Sequence, residues 1–207
     1  QIGALNTKQV AAIETTDIVA LNTAAVRALN TASVAALTTD QIVAMTSTQI
    51  AAMSTAQISA LTTDQVAAIE TTDIAAMTTA QIAVLNTAHA VVLSTLQVGS
   101  LNTADMRAFT TADVAVLTTD QIASLNSAQV AAMSSTQVAV LNTSQAAAIE
   151  TGDLAGLNSA AIRAFTTAAI NALTTDQIAA LNTAQVNALG TLQIAALNTN
   201  QIGAIET

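Results

Sequence analysis

One period governs the chain. A large apolar residue recurs every eight positions from Leu5 to Ile205, always Leu, Ile, Met or Phe. Take Leu173-Thr174-Thr175-Asp176-Gln177-Ile178-Ala179-Ala180 as the reference octad, with Leu173 at position one. A second apolar column then falls at position six, from Ile2 to Ile202, broken only by Ala90 and Ala146. No insertion or deletion shifts the register across 207 residues. Self-similarity at a fixed short period has to be read before any local propensity.

The large apolar residues are therefore five and three apart by turns. In a strand, odd spacings send them to opposite faces, so neither face is apolar. In one unbroken helix each octad turns through ~800°, a drift of about 80° that winds the stripe around the axis. A short helical turn, broken once per octad, removes the conflict. Ile178 and Leu181 then share a face, and the chain changes direction after each position-one residue. The fold expected is an all-α solenoid of very short helices, one per octad, forming a rod or superhelix. The alternative is a β-solenoid with Thr ladders, which the Ala and Gln content and the scarcity of Gly disfavour.

The breaker is polar. Position three is Ser or Thr from Thr7 to Thr207. Position two is mostly Asn, Thr or Ser, the exceptions being Gly190 and four Glu. Such residues compete for backbone hydrogen bonds and favour helix N-caps. Thr174 followed by Gln177 fits a capping box, with the Gln reaching back to the cap amide. Asp176 sits in the first turn, where negative charge suits the helix dipole. Composition points to position two as the cap and invariance to position three, and both stay open. Thr39, Thr63, Thr119 and Thr175, at position three, carry the structural-cap expectation.

A lone octad cannot fold. Burying two large apolar side chains contributes ~2 kcal/mol each, while ordering eight residues costs about 1–2 kcal/mol apiece in backbone entropy. Only stacking on neighbours closes the gap, as in solenoids. The expected core seam is position one, position six and the small position eight. Leu37, Ile42, Leu61, Leu117, Ile122, Leu173 and Ile178 represent it.

A longer repetition lies above the octad. Ile13-Glu14-Thr15-Thr16-Asp17 returns at Ile69, again at Ile149 with Gly152 replacing the second Thr, and begins once more at Ile205. The steps are 69 − 13 = 56, 149 − 69 = 80 and 205 − 149 = 56 residues. Arg107-Ala108-Phe109-Thr110-Thr111 returns at Arg163, again 56 residues on. These look like segmental duplications. Seven octads divide by neither two nor three, so the octads should be near-equivalent, related by one screw operation. Residues 1–207 are expected to be a single continuous array of about 26 octads without a linker. Because Gln1 is at position five and Thr207 at position three, a fragment of a longer repeat region is expected. No signal-peptide pattern and no apolar run near ~20 residues is present.

Chemistry-bearing residues are few. A net charge of −9 with only Lys8, Arg27, Arg107 and Arg163 basic leaves no nucleic-acid footprint. With no Cys, disulfides, thiol catalysis and thiolate metal sites drop out together. His89 is the only histidine, stands at position five in place of Gln, and reads as a tolerated surface substitution rather than a metal ligand. The three Arg fall at position seven and read as rare charges on a solvated face. Glu14/Asp17, Glu70/Asp73 and Glu150/Asp153 pair carboxylates at positions two and five. Such pairs can hold Ca²⁺ or transfer protons, but without EF-hand or nonapeptide spacing they read as helix-terminus electrostatics. Asn142-Thr143-Ser144 is a formal glycosylation sequon of the kind expected by chance in so Asn- and Thr-rich a chain. No nucleophile–base arrangement, phosphate loop or dinucleotide fingerprint occurs. The expectation is no enzyme, no cofactor and no catalytic or metal residue.

The octad Leu-Thr-Thr-Asp-Gln-Ile-Ala-Ala resembles arrays in very long bacterial secreted or cell-surface proteins of the adhesin-like kind, and the resemblance covers essentially the whole chain. It implies an extracellular or envelope location and a structural role, without any binding residue to carry over; the calcium motif of RTX repeats is missing. Leu173-Thr174-Thr175-Asp176-Gln177 also looks like the helix start of TAL-effector repeats, but the period, the missing Pro and the acidic charge oppose that kinship. The function expected is a spacer, stalk or filament-forming segment. The alternative is a binding module presenting Thr/Asn rows to ice, glycan or another surface. The partners expected are other copies of the chain or neighbouring repeats of a parent chain, and a glycan or surface ligand on the alternative reading, with no nucleic acid and no membrane span.

Overall fold

The computed structural model of the chain describes residues 2–205. Gln1, Glu206 and Thr207 lie outside the described residues, and with them the last members of the position-two Glu and position-three Thr columns. The described residues form 25 short α-helices and one 3₁₀ turn at Ile2–Ala4, with no strand. The protein is an all-α solenoid, one helix per octad, as the five-and-three spacing requires.

Each helix begins at position three and ends between positions six and eight, as in Thr39–Ala44 and Thr79–Ile82. The corner between helices consists of two successive extended residues. Leu21 has φ −66° and ψ 130°, and Asn22 has φ −76° and ψ 164°. No described residue needs a positive φ and no peptide bond is cis. Corners built this way require neither Gly nor Pro, which explains how a chain with six Gly and no Pro turns so often.

The cap is position two. Thr38, Thr62, Thr118 and Thr174 are extended N-cap residues whose side chains accept from the backbone N–H at position five. The expected caps Thr39, Thr63, Thr119 and Thr175 are instead the first helical residues. An N-cap must be extended for its oxygen to swing back onto the N3 amide. Position three has already entered the helix and cannot make that bond. What holds position three to Ser or Thr is not capping.

The chain divides into two compact units, Gln1–Leu101 and Asn102–Thr207. In each, helices pack on the helix three octads further on. In the first, Thr15–Ala20 packs on Thr39–Ala44, and Ser47–Ala52 on Thr71–Ala76. In the second, Ser135–Ala139 packs on Ser159–Ala164, and Thr143–Ala148 on Thr167–Ala172. Side-chain hydrogen bonds between coils span 28 and 31 residues, as from Gln57 to Leu29 and Val26, or from Gln137 to Phe109 and Met106. The 56-residue duplications, Ile13 to Ile69 in the first unit and Arg107 to Arg163 in the second, are seven whole octads and so keep every octad position in register.

Burial follows the octad. Positions one and six are buried through most of the described residues, including Leu37, Ile42, Leu61, Leu117, Ile122, Leu173 and Ile178. Position eight is only half-buried in most octads, with Ala52 and Ala132 as buried exceptions, so it is the edge of the seam and not part of it. The third buried column is position five, mostly Gln.

Candidate functional site

The repeating polar feature is a ladder of buried glutamines. Gln41 is representative. Its Oε1 accepts from the Thr38 N–H at 2.8 Å, and its own N–H donates to Thr38 Oγ1 at 3.1 Å, closing a capping box. Its Nε2 donates to the carbonyls of Val10 at 2.9 Å and Ile13 at 2.7 Å, one coil back. Those carbonyls belong to the C-terminal end of Thr7–Ala11 and to the corner after it. One side chain therefore caps the start of its own helix and the end of another. Helix ends leave backbone groups unpaired, and in helices of four to six residues such ends are most of the helix. The same pattern recurs at Gln57 and Gln65 in the first unit and at Gln137, Gln185 and Gln193 in the second. A buried primary amide is tolerable only when both its ends are satisfied.

His89 belongs to this ladder. It is 3 % exposed, so the surface placement expected from sequence is wrong. Asn86 N–H points at Nδ1 at 3.5 Å, and Nε2 lies 2.8 Å from the Leu61 carbonyl, 28 residues back. A backbone N–H can only donate, so Nδ1 accepts and Nε2 carries the proton. The imidazole thus supplies one acceptor and one donor where Gln supplies an amide. Its neighbour Ala90 is fully buried.

The other candidates are also tied to the coil stack. Arg27 and Arg107 are exposed, yet each Nε donates to a position-eight carbonyl 25 residues on, Ala52 at 2.9 Å and Ala132 at 3.2 Å. Asn171 does the same to Ala196 at 2.6 Å. Glu14, Glu70 and Glu150 are N-cap residues that make no side-chain cap bond. Asp73 and Asp153 are buried and accept from Ser47 and Ser127 one coil back. Asn142 uses Oδ1 as an N-cap acceptor for Gln145. Among the described residues, no three His, Cys, Asp or Glu converge as a metal group, and no helix is long and apolar enough to cross a membrane.

Sequence reasoning found the capping half of the Gln role and missed the coil-to-coil half. The available signal was the Gln column itself, one residue before the most buried position. A polar side chain kept that consistently beside the core has a buried partner to meet.

No curated protein and no solved structure matches the chain. The family model described as the ALTTAQ repeat matches residues 10–47, 42–68, 66–103, 98–135, 146–183 and 178–207. These stretches cover most of the sequence in the same octad register that sets the caps and the ladder, and the chain belongs to the ALTTAQ repeat family.

Proposed function

We propose that the chain is a structural spacer, stalk or filament-forming segment of a bacterial surface or secreted protein, with no catalytic role. The observation that carries this reading is the Gln ladder. Its buried glutamines are engaged in capping helices and joining coils, octad after octad, in both units. The surface location rests on the resemblance to adhesin-like arrays. Replacing the array in its parent protein by an unrelated helical solenoid of equal length tests the role. Preserved function is expected of a spacer, and lost function overturns it. Protease shaving of intact cells tests the location, with cleavage of the array expected and full protection against it.

The filament arm of this reading rests on the repeat itself, since stacking of one coil on the next is also the contact that two arrays would make end to end. Sedimentation across a concentration series tests it. Growth in mass is expected, and a constant monomer mass removes the filament arm.

A second reading, a binding module for ice or glycan, is favoured by one observation. Thr39, Thr119 and Thr175 are exposed and take no part in capping. If these hydroxyls recognise a surface, replacing them by Ala abolishes ice shaping or glycan retention with little change in melting. Retention unaffected by the replacements removes this reading.

A further inference from the structure

Asp73 interrupts the ladder and leaves one buried carboxylate oxygen without a donor. At Gln81, the equivalent residue one octad on, the amide nitrogen meets the carbonyls 31 and 28 residues back, Ile50 and Met53. The same offsets from Asp73 lead to Ile42 and Met45, since 73 − 31 = 42 and 73 − 28 = 45. An ionised carboxylate has no hydrogen to give them. Asp73 Oδ1 accepts from Ser47 Oγ at 2.5 Å in the corner that follows Met45. Oδ2 has no hydrogen-bond partner, although the residue is only 3 % exposed. Asp113, also at position five, avoids this. It turns Oδ2 onto its own N-cap, accepting from Thr110 N at 3.0 Å and Thr110 Oγ1 at 2.6 Å.

By register the corner brings together a carboxylate, two main-chain carbonyls and a hydroxyl; the Ser47 hydrogen goes to Oδ1 and the Met45 N–H to the Ile42 carbonyl at 3.1 Å, so neither serves Oδ2. Burying an acceptor set of this kind is costly unless something positive or donating sits among it. The carbonyls are also the C-terminal end of Thr39–Ala44, the end of a helix that favours positive charge. Glu70, whose side chain caps nothing, adds negative charge three residues away.

We propose that this corner is a cation site of the calcium class, with Asp73, the carbonyls of Ile42 and Met45 and the Ser47 hydroxyl as oxygen ligands. All-oxygen sets of carboxylate, carbonyl and hydroxyl suit hard divalent cations, with water completing the shell. The second unit carries a partial counterpart, alike in register and serine contact but without a buried unpartnered oxygen. Asp153 is 8 % exposed and accepts from Ser127 Oγ, and the same offsets lead from it to the carbonyls of Ile122 and Leu125. A single buried carboxylate puts the affinity at the weak end, ~10⁻⁴–10⁻³ M.

The test is thermal unfolding and calorimetric titration of the metal-stripped chain with CaCl₂, against NaCl of equal ionic strength. Wild type is expected to bind about two Ca²⁺ and to melt higher with them. Asp73→Gln restores the usual ladder amide, so it folds, and is expected to bind about one. Asp73→Gln/Asp153→Gln is expected to bind none and to melt at the same temperature with and without Ca²⁺. No calcium response in wild type, as when water fills each corner, overturns the proposal. So does a response equal in wild type and the double variant.

Discussion

A glutamine at position five is bound to two helices at once, and this makes its substitution more costly than its polarity suggests. Gln137 accepts from Ser134 N–H at 2.8 Å and donates to the Met106 and Phe109 carbonyls at 2.8 and 2.9 Å. Gln137→Leu keeps the bulk and loses these bonds together with the one Oε1 accepts from Ser134 Oγ at 3.1 Å, leaving two buried carbonyls without the amide donor. It is expected to cost ~2–4 kcal/mol, read as a shift in the urea midpoint. Gln137→His is expected to cost less, because His89 already supplies one donor and one acceptor at this position. Equal losses would mean that the ladder bonds contribute little. Caps give a second residue-scale contrast. Thr118→Ala is expected to cost ~1 kcal/mol and Thr119→Ala only a few tenths, since Thr118 alone accepts from Gln121 N–H. Larger loss at Thr119 would return the capping role to position three. The capping box was legible in Thr174 and Gln177, but the choice of cap was not. Invariance at position three drew the assignment there, whereas capping depends on backbone conformation, which a list of residue types does not carry.

At the scale of the helix, the octad resolves a conflict between length and stability. An isolated helix of four to six residues is far below the length that persists in water. Each helix here persists because positions one and six are buried and position five joins it to another coil. The five-and-three spacing made the helix-per-octad fold legible, since neither a strand nor a continuous helix can bury those positions on one face. It left position eight ambiguous, because Ala is equally at home at an edge and in a core. A pair of charge insertions reads the inside from the outside. Leu117 is 3 % exposed, and Ala115, two residues before it, is exposed. Leu117→Asp is expected to destabilise by several kcal/mol through an unpaired buried charge, and Ala115→Asp to stay within about 0.5 kcal/mol. Comparable effects in chemical denaturation would mean that the octad has no fixed interior.

For the whole molecule, the ladder sets which lengths of chain can be added or removed. Gln81 reaches Ile50 and Met53 across 31 and 28 residues, and a position-five residue always looks for carbonyls at positions six and one. Removing the octad 53–60 brings Gln81 to Ile42 and Met45, carbonyls of the same two positions. Asp73 would then meet Thr39, another position-three hydroxyl, in place of Ser47. Every neighbour is exchanged for an equivalent one, so a chain eight residues shorter is expected to keep its helical circular dichroism per residue and to melt within ~5 °C of the parent, as near-equivalent repeats do. Removing only 57–60 shifts the register by half an octad. Gln81 would then face Thr46 and Gln49, at positions two and five, and the buried amides of the following coil would lose their acceptors. At roughly 1–3 kcal/mol per unsatisfied buried group, the first unit is expected to lose helix and cooperative melting although fewer residues are missing. The same constraint accounts for duplications of whole octads in the sequence, with 56 residues, seven octads, recurring in each unit. Equal tolerance of both deletions would show that apolar stacking alone holds the coils and that the glutamine register does not.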